Sequence, residues 1–161
     1  MRRTVITAII LFGLDAFWLN LGVIALITVM IVLPAMIIKA LISWKNKPLL
    51  KKQFTACGIY FLMSLLIFSS ISLNNKIARS RAEMLIETCE KYRDKNNEYP
   101  ESLTALVPDF INEIPVAKYT LNSNRFFYIS SKGSHSLFYM KLPPYGRPTY
   151  CFEKQKWAHI D

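Results

Sequence analysis

The side chains best suited to chemistry in this 161-residue sequence are two histidines, a group of serines and three cysteines. His135 lies among Ser131, Ser134 and Ser136, a grouping that would suit a serine nucleophile with a histidine base. No Gly-x-Ser-x-Gly turn or supporting acid accompanies them, and neither a nucleotide-binding glycine pattern nor a metal-ligand spacing is present. The sequence therefore predicts no enzyme, no catalytic residue, no metal, no cofactor and no small-molecule substrate.

The cysteines favour a structural role. Cys57 lies in a long apolar stretch and is expected to act there as a small apolar residue. A disulfide between Cys89 and Cys151 would close a loop of about 60 residues and add on the order of 4 kcal/mol. Such a bond needs an oxidising compartment. The sequence predicts this disulfide, and the alternative is two buried free thiols.

The elements that must position these groups begin with two uncharged stretches, residues 16–38 and 53–75. Each is long enough for a membrane helix, which needs about 20 residues. The connection between them is rich in lysine, and basic connections stay in the cytoplasm. The second stretch would then carry the rest of the chain outward, which in a bacterium means from the inner membrane into the periplasm. The predicted organisation is a membrane region at 1–53 with a basic cytoplasmic loop at 44–53, a transmembrane helix at 54–73 and a periplasmic domain at 74–161.

The formal net charge of +9 would by itself suggest a nucleic-acid partner. Much of that charge lies beside the apolar stretches, where Lys45, Lys47, Lys51 and Lys52 crowd one connection. A loop of about eight residues, held at both ends by membrane, offers little surface for reading bases. We therefore interpret the charge as an orientation signal and expect no nucleic-acid partner.

The apolar region before residue 43 is interrupted near Asn20, and two arrangements fit it. In one, residues 4–18 form a short crossing helix, and a turn leads to a second helix over residues 21–43; in the other, residues 4–18 lie at the membrane interface. We favour three crossings because they leave the N-terminal arginines in the cytoplasm. The N-terminus is predicted to be retained, since no small-x-small cleavage site precedes Asp15. For Asp15, a place at a helix end or turn is favoured over a proton relay.

Beyond residue 74 the pattern changes to an amphipathic helix that continues the last span to about Lys95. Asn96, Asn97 and Pro100 are expected to stop it. A short helix is predicted over 102–107 with Ser102 as its N-cap. Strands are predicted at about 118–121, 126–130, 137–142 and 149–152, with a turn at Lys132-Gly133. The fold class is thus α+β, with a small antiparallel sheet covering the apolar stripe of the helix.

One passage in this region resembles the helix end and following loop of type II secretion pseudopilins: Leu85-x3-Cys89-x2-Tyr92-Arg93-x3-Asn97-x-Tyr99-Pro100-x2-Leu103-x2-Leu106-Val107-Pro108. The resemblance covers about residues 74–152 and implies a pilin-like fold without catalytic activity. Asn97 or Glu98 replaces the family's turn glycine, and Asn accepts left-handed geometry. Gly58 stands where a processed pilin would carry glutamate, so we expect no cleavage by a prepilin peptidase.

Aromatic residues are dense in the last forty positions. An outer apolar patch that includes Tyr145 and Trp157 is predicted to bind a protein partner, and ordinary strand composition is the alternative. The predicted function is that of a non-enzymatic, inner-membrane-anchored periplasmic domain that binds a protein, as a scaffold in envelope assembly, secretion or pilus formation would. The alternative is an immunity-type protein that neutralises a periplasmic or membrane-acting toxin.

Overall fold

The computed structural model describes residues 1–122, 124–131, 133–141 and 146–160. The chain divides into a helical unit, Met1–Leu73 with Thr120–Asn122, and a sheet unit, Asn74–Tyr119 with Ser123–Asp161. The architecture is α+β, as predicted. The helices are α1 (Arg2–Gly13), continued by a π-helical segment (Leu14–Leu19); α2 (Val23–Ile27), continued by a π-helical segment (Thr28–Val32) into α3 (Leu33–Ile42); α4 (Lys47–Asn96); and a short 3-10 helix (Leu103–Leu106). The strands are β1 (Phe126–Ser131), β2 (Ser134–Tyr139), β3 (Arg147–Cys151) and β4 (Lys156–Ile160).

Asp15 is the buried polar centre of the helical unit. Its side chain is fully buried, and its carboxylate accepts hydrogen bonds from the backbone N–H groups of Gly22 (2.7 Å) and Ile24 (2.9 Å). Two further N–H groups, of Leu21 and Ala25, donate to it at 3.3 and 3.1 Å. These are the donors that the start of a helix leaves unpaired. The carboxylate therefore caps α2 from the preceding helix, which confirms the interpretation of an acid at a helix end or turn.

Burial in the helical unit is the reverse of that in a water-soluble bundle. Many of its buried side chains are small or polar, whereas large apolar side chains face outward. Ile9, Met30 and Ile42 are 64%, 67% and 77% exposed. Helices packed in lipid show this arrangement, because close approach needs small residues and the outer surface meets hydrocarbon. Val23–Ile42 and Lys47–Asn96 are long and apolar enough to cross a membrane, with mean hydropathies of 2.5 and 2.0 over an 18-residue stretch of each. A third crossing by residues 4–18 stays a prediction.

The connection between the two candidate spans is shorter than predicted. Only residues 43–46 separate α3 from α4, so most of the expected loop at 44–53 forms the first turns of α4. Asn46 Oδ1 accepts the Leu49 N–H at 3.2 Å, as an N-cap does. Pro48 suits this first turn, where its missing N–H has no partner to lose.

The sheet unit is built on the second half of α4. Small and apolar residues of that helix repeat at helical spacing and join the short helix and the sheet in one core. That core contains Ala78, Ala82, Leu85, Ile86, Cys89, Leu103, Leu106, Ala117, Phe126, Leu137, Tyr139 and Phe152. The predicted stop of α4 is confirmed: the helix ends at Asn96, and Asn97 takes left-handed backbone with φ 60°. Ser102 stands at the N-cap position of the short helix, without a side-chain hydrogen bond to its backbone.

The sheet is antiparallel, with strand order β1-β2-β3-β4. Leu137 of β2 lies opposite Tyr128 of β1 and Tyr150 of β3. Because successive side chains of a strand point to opposite sides, these residues and their alternate neighbours form an inner face that packs on the core. The intervening positions, Phe127 and Phe138 among them, form what we call the outer face.

Three segments differ from the predicted strands. The strand predicted over 137–142 is β2, which begins at Ser134 and ends at Tyr139. Residues 118–121 form bends, and the Tyr119 N–H is bound by Asn74 Oδ1 at 3.2 Å, so it cannot join a ladder. β4 is missing from the sequence prediction, because the turn before it contains left-handed Gln155 (φ 48°) rather than a glycine or asparagine. Two residues of these predictions lie outside the described residues: Leu142, the last residue of a predicted strand, and Lys132, the first residue of the predicted turn.

Candidate functional site

A stacked aromatic pair, of which one ring is exposed and the other half-buried, marks the outer face of the sheet. Phe127 and Phe138 lie opposite each other on β1 and β2, and their rings stack with centroids 5.0 Å apart and planes 12° apart. Phe127 is 42% exposed, and Ile129 on the same face is 51% exposed. Such a surface on a small domain is typical of a contact site for another macromolecule.

The charged residues on the outer face of the strands are basic. By register, Arg147 and Lys156 share this face. Both are exposed. No acidic residue occupies an outward position of the four described strands. A partner surface with an apolar centre and an acidic rim would complement this face.

The two aromatic residues singled out from the sequence lie elsewhere. Trp157 is opposite Tyr150 on the inner face, and its ring packs against Tyr139 and Tyr150 with centroids 6.4 and 5.4 Å away. The Arg79 guanidinium of α4 lies 3.8 Å from the Trp157 ring centroid, a cation–π contact that ties β4 to the helix. Tyr145 lies outside the described residues. A role for either in partner binding stays a prediction.

The predicted disulfide between Cys89 and Cys151 is wrong, since both cysteines are free thiols. Cys89 is fully buried in the core, under the inner face. Cys151 pairs with Ser136, one position away from the inward Leu137–Tyr150 pair, so its side chain belongs to the outer face. The sheet itself therefore lies between the two sulfur positions.

Cys89 is expected to resist alkylation in the folded chain, whereas the half-exposed Cys151 reacts. Burial, with a smaller contribution from Glu90, raises the pKa of Cys89 to about 12. At pH 8 only about one Cys89 thiol in ten thousand is then the reactive thiolate. Treatment with N-ethylmaleimide, followed by non-reducing peptide mass mapping, measures both rates. Equal labelling of the two cysteines, or recovery of a Cys89–Cys151 cross-linked peptide, would contradict the assignment of Cys151 to the outer face.

A polar cluster lies at the end of the sheet near His135. His135 Nδ1 is 2.8 Å from Glu153 Oε1, which also accepts the His135 backbone N–H at 2.7 Å. Burial opposes ionisation of Glu153, but hydrogen bonds from its own backbone and from His135 outweigh it and lower the pKa of the carboxyl. Beside it, the Tyr99 hydroxyl donates to Glu90 (3.0 Å) and accepts from Arg93 (2.6 Å).

Glu153 is the supporting acid for His135 that the sequence did not reveal, because it lies 18 positions away on the neighbouring turn. The pair is not a catalytic triad within the described residues, since no serine hydroxyl there hydrogen-bonds the imidazole. The contacts made by Glu153 instead hold the β1–β2 hairpin against the turn before β4. Within those residues, no group of three His, Cys, Asp or Glu side chains could hold a metal ion.

Lys118 is the most buried cation of the sheet unit among the described residues, at 4% exposure. Burial, and secondarily Lys141, lowers its pKa from 10.5 to about 8. Below pH 8 both folded and unfolded chains carry the proton, and the folded state bears the cost of burying it. Between pH 8 and 10.5 only the unfolded chain keeps it, so stability rises with pH in that window.

Replacing Lys118 with methionine is expected to raise the free energy of unfolding at pH 7 by on the order of 2 kcal/mol. The gain should fall to a few tenths of a kcal/mol by about pH 10.5, where the lysine is neutral in the folded chain and about half of it has lost its proton in the unfolded chain. Urea unfolding of the full chain in nonionic detergent at both pH values measures it, with exposed Lys154→Met as the matched control. A gain that is the same at both pH values would contradict the role of charge burial.

No family model matches the sequence, and neither a curated protein nor a solved structure matches the chain. The pilin-like assignment therefore stays a prediction.

Proposed function

We propose that this chain is a non-enzymatic, membrane-anchored protein whose sheet unit binds a protein partner through the outer face. The observation that carries the proposal is the Phe127–Phe138 stack on the outer face, where Phe127 is 42% exposed and the charged residues of the strands, Arg147 and Lys156, are basic. An aromatic centre is the usual energetic core of a protein interface, and surrounding charges guide and orient the partner. The basic face predicts a partner with an acidic rim.

The orientation in the membrane is part of the proposal. Lys39, Lys45, Lys47, Lys51 and Lys52 lie on or beside the connection between the two candidate spans. The positive-inside rule places that connection in the cytoplasm and the sheet unit outside it, in the periplasm of a bacterium. This inference rests on charge alone, since the disulfide that would have supported it is not formed.

The pilin-like character of the sheet unit favours a scaffold in envelope assembly, secretion or pilus formation. Its support is the long helix followed by a short helix and a small antiparallel sheet, with left-handed Asn97 where the family carries a turn glycine. Because Gly58 replaces the family's glutamate, the proposed role is that of a fixed anchored component rather than a processed pilus subunit.

Photo-cross-linking in intact cells tests the proposal. Benzoylphenylalanine introduced at Phe127 or Phe138 is expected to give a discrete protein adduct, whereas the same group at buried Tyr139 should give none. A phosphatase reporter fused after residue 161 should be active, and a cytoplasmic fluorescent reporter fused there should be dark. Absence of adducts from both outer positions would refute the binding role, and the opposite reporter result would refute the orientation.

A further inference from the structure

The free edge of β1 presents a row of unpaired backbone groups. Ser131 and Ser134 close the two-residue connection between β1 and β2, and the closing pair of such a hairpin is hydrogen-bonded. Hydrogen-bonded and non-hydrogen-bonded pairs then alternate along the hairpin, so Ser130 and His135 do not exchange backbone hydrogen bonds. His135 confirms this alternation, since its carbonyl accepts the Phe152 N–H and its own N–H donates to Glu153, both on the side away from β1.

The same alternation turns the N–H and C=O groups of Phe126, Tyr128 and Ser130 away from β2. Within residues 1–122, 124–131, 133–141 and 146–160, no hydrogen bond reaches those groups. The position just before them is already occupied, because the Asn124 carbonyl accepts the Ala117 N–H at 2.7 Å. The unpaired edge therefore starts at Phe126 and offers three donors and three acceptors.

A groove of about 420 Å³ runs along this edge. It is lined mainly by apolar side chains, and one cation, Arg125, is among the lining residues. On one side lie Leu103, Ile114 and Pro115, and on the β1 side lie Arg125, Phe126 and Tyr128. Arg125 makes no ion pair with any described residue. The space suits an apolar side chain beside a carboxylate.

Exposed sheet edges usually carry a feature that discourages pairing, such as proline, lysine or a bulge. The opposite edge of the sheet begins with Lys154 and Lys156 beside β4. β1 reads Phe-Phe-Tyr-Ile-Ser-Ser, and its six residues contain neither a charge nor a proline. It is thus the edge left open to another strand.

We propose that β1 binds an extended segment of the partner protein by strand addition, with an apolar side chain of that segment in the groove and an acidic side chain beside Arg125. This deepens, and rests on, the proposed partner-binding function. Backbone hydrogen bonds supply affinity in this mode, and the groove selects the side chain. A second copy of the chain, joined through the same edge, is the competing occupant.

The test uses the full chain in nonionic detergent and a library of random 12-residue displayed peptides as the probe. The variant Ser130→Pro removes one outward N–H without touching the β1–β2 ladder, and Ser130→Ala is the matched control that keeps it. Selected peptides are expected to bind Ser130→Pro at least tenfold more weakly than Ser130→Ala, and Arg125→Glu should weaken acidic peptides selectively. On the unmutated chain, a selected peptide should slow amide exchange at Tyr128 and Ser130 more than at Phe127 and Ile129.

Failure to enrich any peptide, equal affinity for the two Ser130 variants, or unchanged exchange at Tyr128 and Ser130 would each overturn strand addition. Dimers that form without peptide and are lost in Ser130→Pro would assign the edge to a second copy and overturn it as well. The exchange measurement needs no variant, so misfolding of Ser130→Pro leaves it decisive. Adducts from Phe127 that persist in Ser130→Pro would refute strand addition while leaving the proposed function intact.

Discussion

Replacing Asp15 with alanine is expected to lower the hydrogen-exchange protection of the amides of Gly22 and Ile24 by about 100-fold or more, or about 3 kcal/mol. The carboxylate accepts four backbone N–H groups at the start of α2. Bonds to an ionised acceptor are worth about 1.5–3 kcal/mol each, and donors left without a partner in apolar surroundings cost more than they would in water. Exchange followed by mass spectrometry on the full chain in micelles measures the loss.

Asp15→Asn is the matched control, because it keeps one carbonyl oxygen and the shape of the side chain while removing the charge. Its loss of protection should lie between those of the wild type and Asp15→Ala. Protection that is unchanged in both variants would show that the N–H groups of this turn find other partners. The capping role would then have to be abandoned.

Phe152→Ala is expected to lower the free energy of unfolding by about 3–5 kcal/mol. Phe152 is 1% exposed, and its ring meets those of Tyr99, Tyr128 and Tyr150 at centroid distances of 5.0, 5.9 and 5.2 Å. Truncation leaves a cavity that these rings cannot fill. Urea unfolding of the full chain in nonionic detergent, followed by near-ultraviolet circular dichroism, reports on this cluster.

Phe127→Ala provides the contrast, since the same truncation at a 42% exposed ring of the outer face should cost less than about 1 kcal/mol. The folded variant is then suited to the cross-linking and peptide experiments. Equal losses for the two phenylalanines would contradict the assignment of inner and outer faces.

The parts of the fold that follow from local pattern could be predicted from the sequence. The apolar stripe of α4 and its stop at Asn96 depend on spacing and on a residue that tolerates left-handed backbone, both visible in the chain. The turn near Asn20 is likewise local. The N–H donors that bind Asp15 were not predictable, because they depend on how the second helix folds back on the first.

The candidate site depends on which residues of each strand face outward, and the sequence leaves that undetermined. A shift of one residue exchanges the faces of a strand. The observed register puts Trp157 on the inner face and Cys151 on the outer one, against the outer position predicted for Trp157 and the disulfide predicted for Cys151. β4 was not predicted, because the turn before it has Gln155, rather than a glycine or asparagine, at its left-handed position. The Phe127–Phe138 stack needed the β1–β2 register before it could be recognised.

The open edge of β1 also has an evolutionary consequence. A contact made through main-chain atoms is not encoded by particular side chains, so Ser130 can drift to almost any residue except proline without loss of its outward N–H. Phe127 on the adjoining outer face has no such freedom if its ring is the contact. Under selection for one partner, neighbouring positions of a single strand would then diverge at different rates.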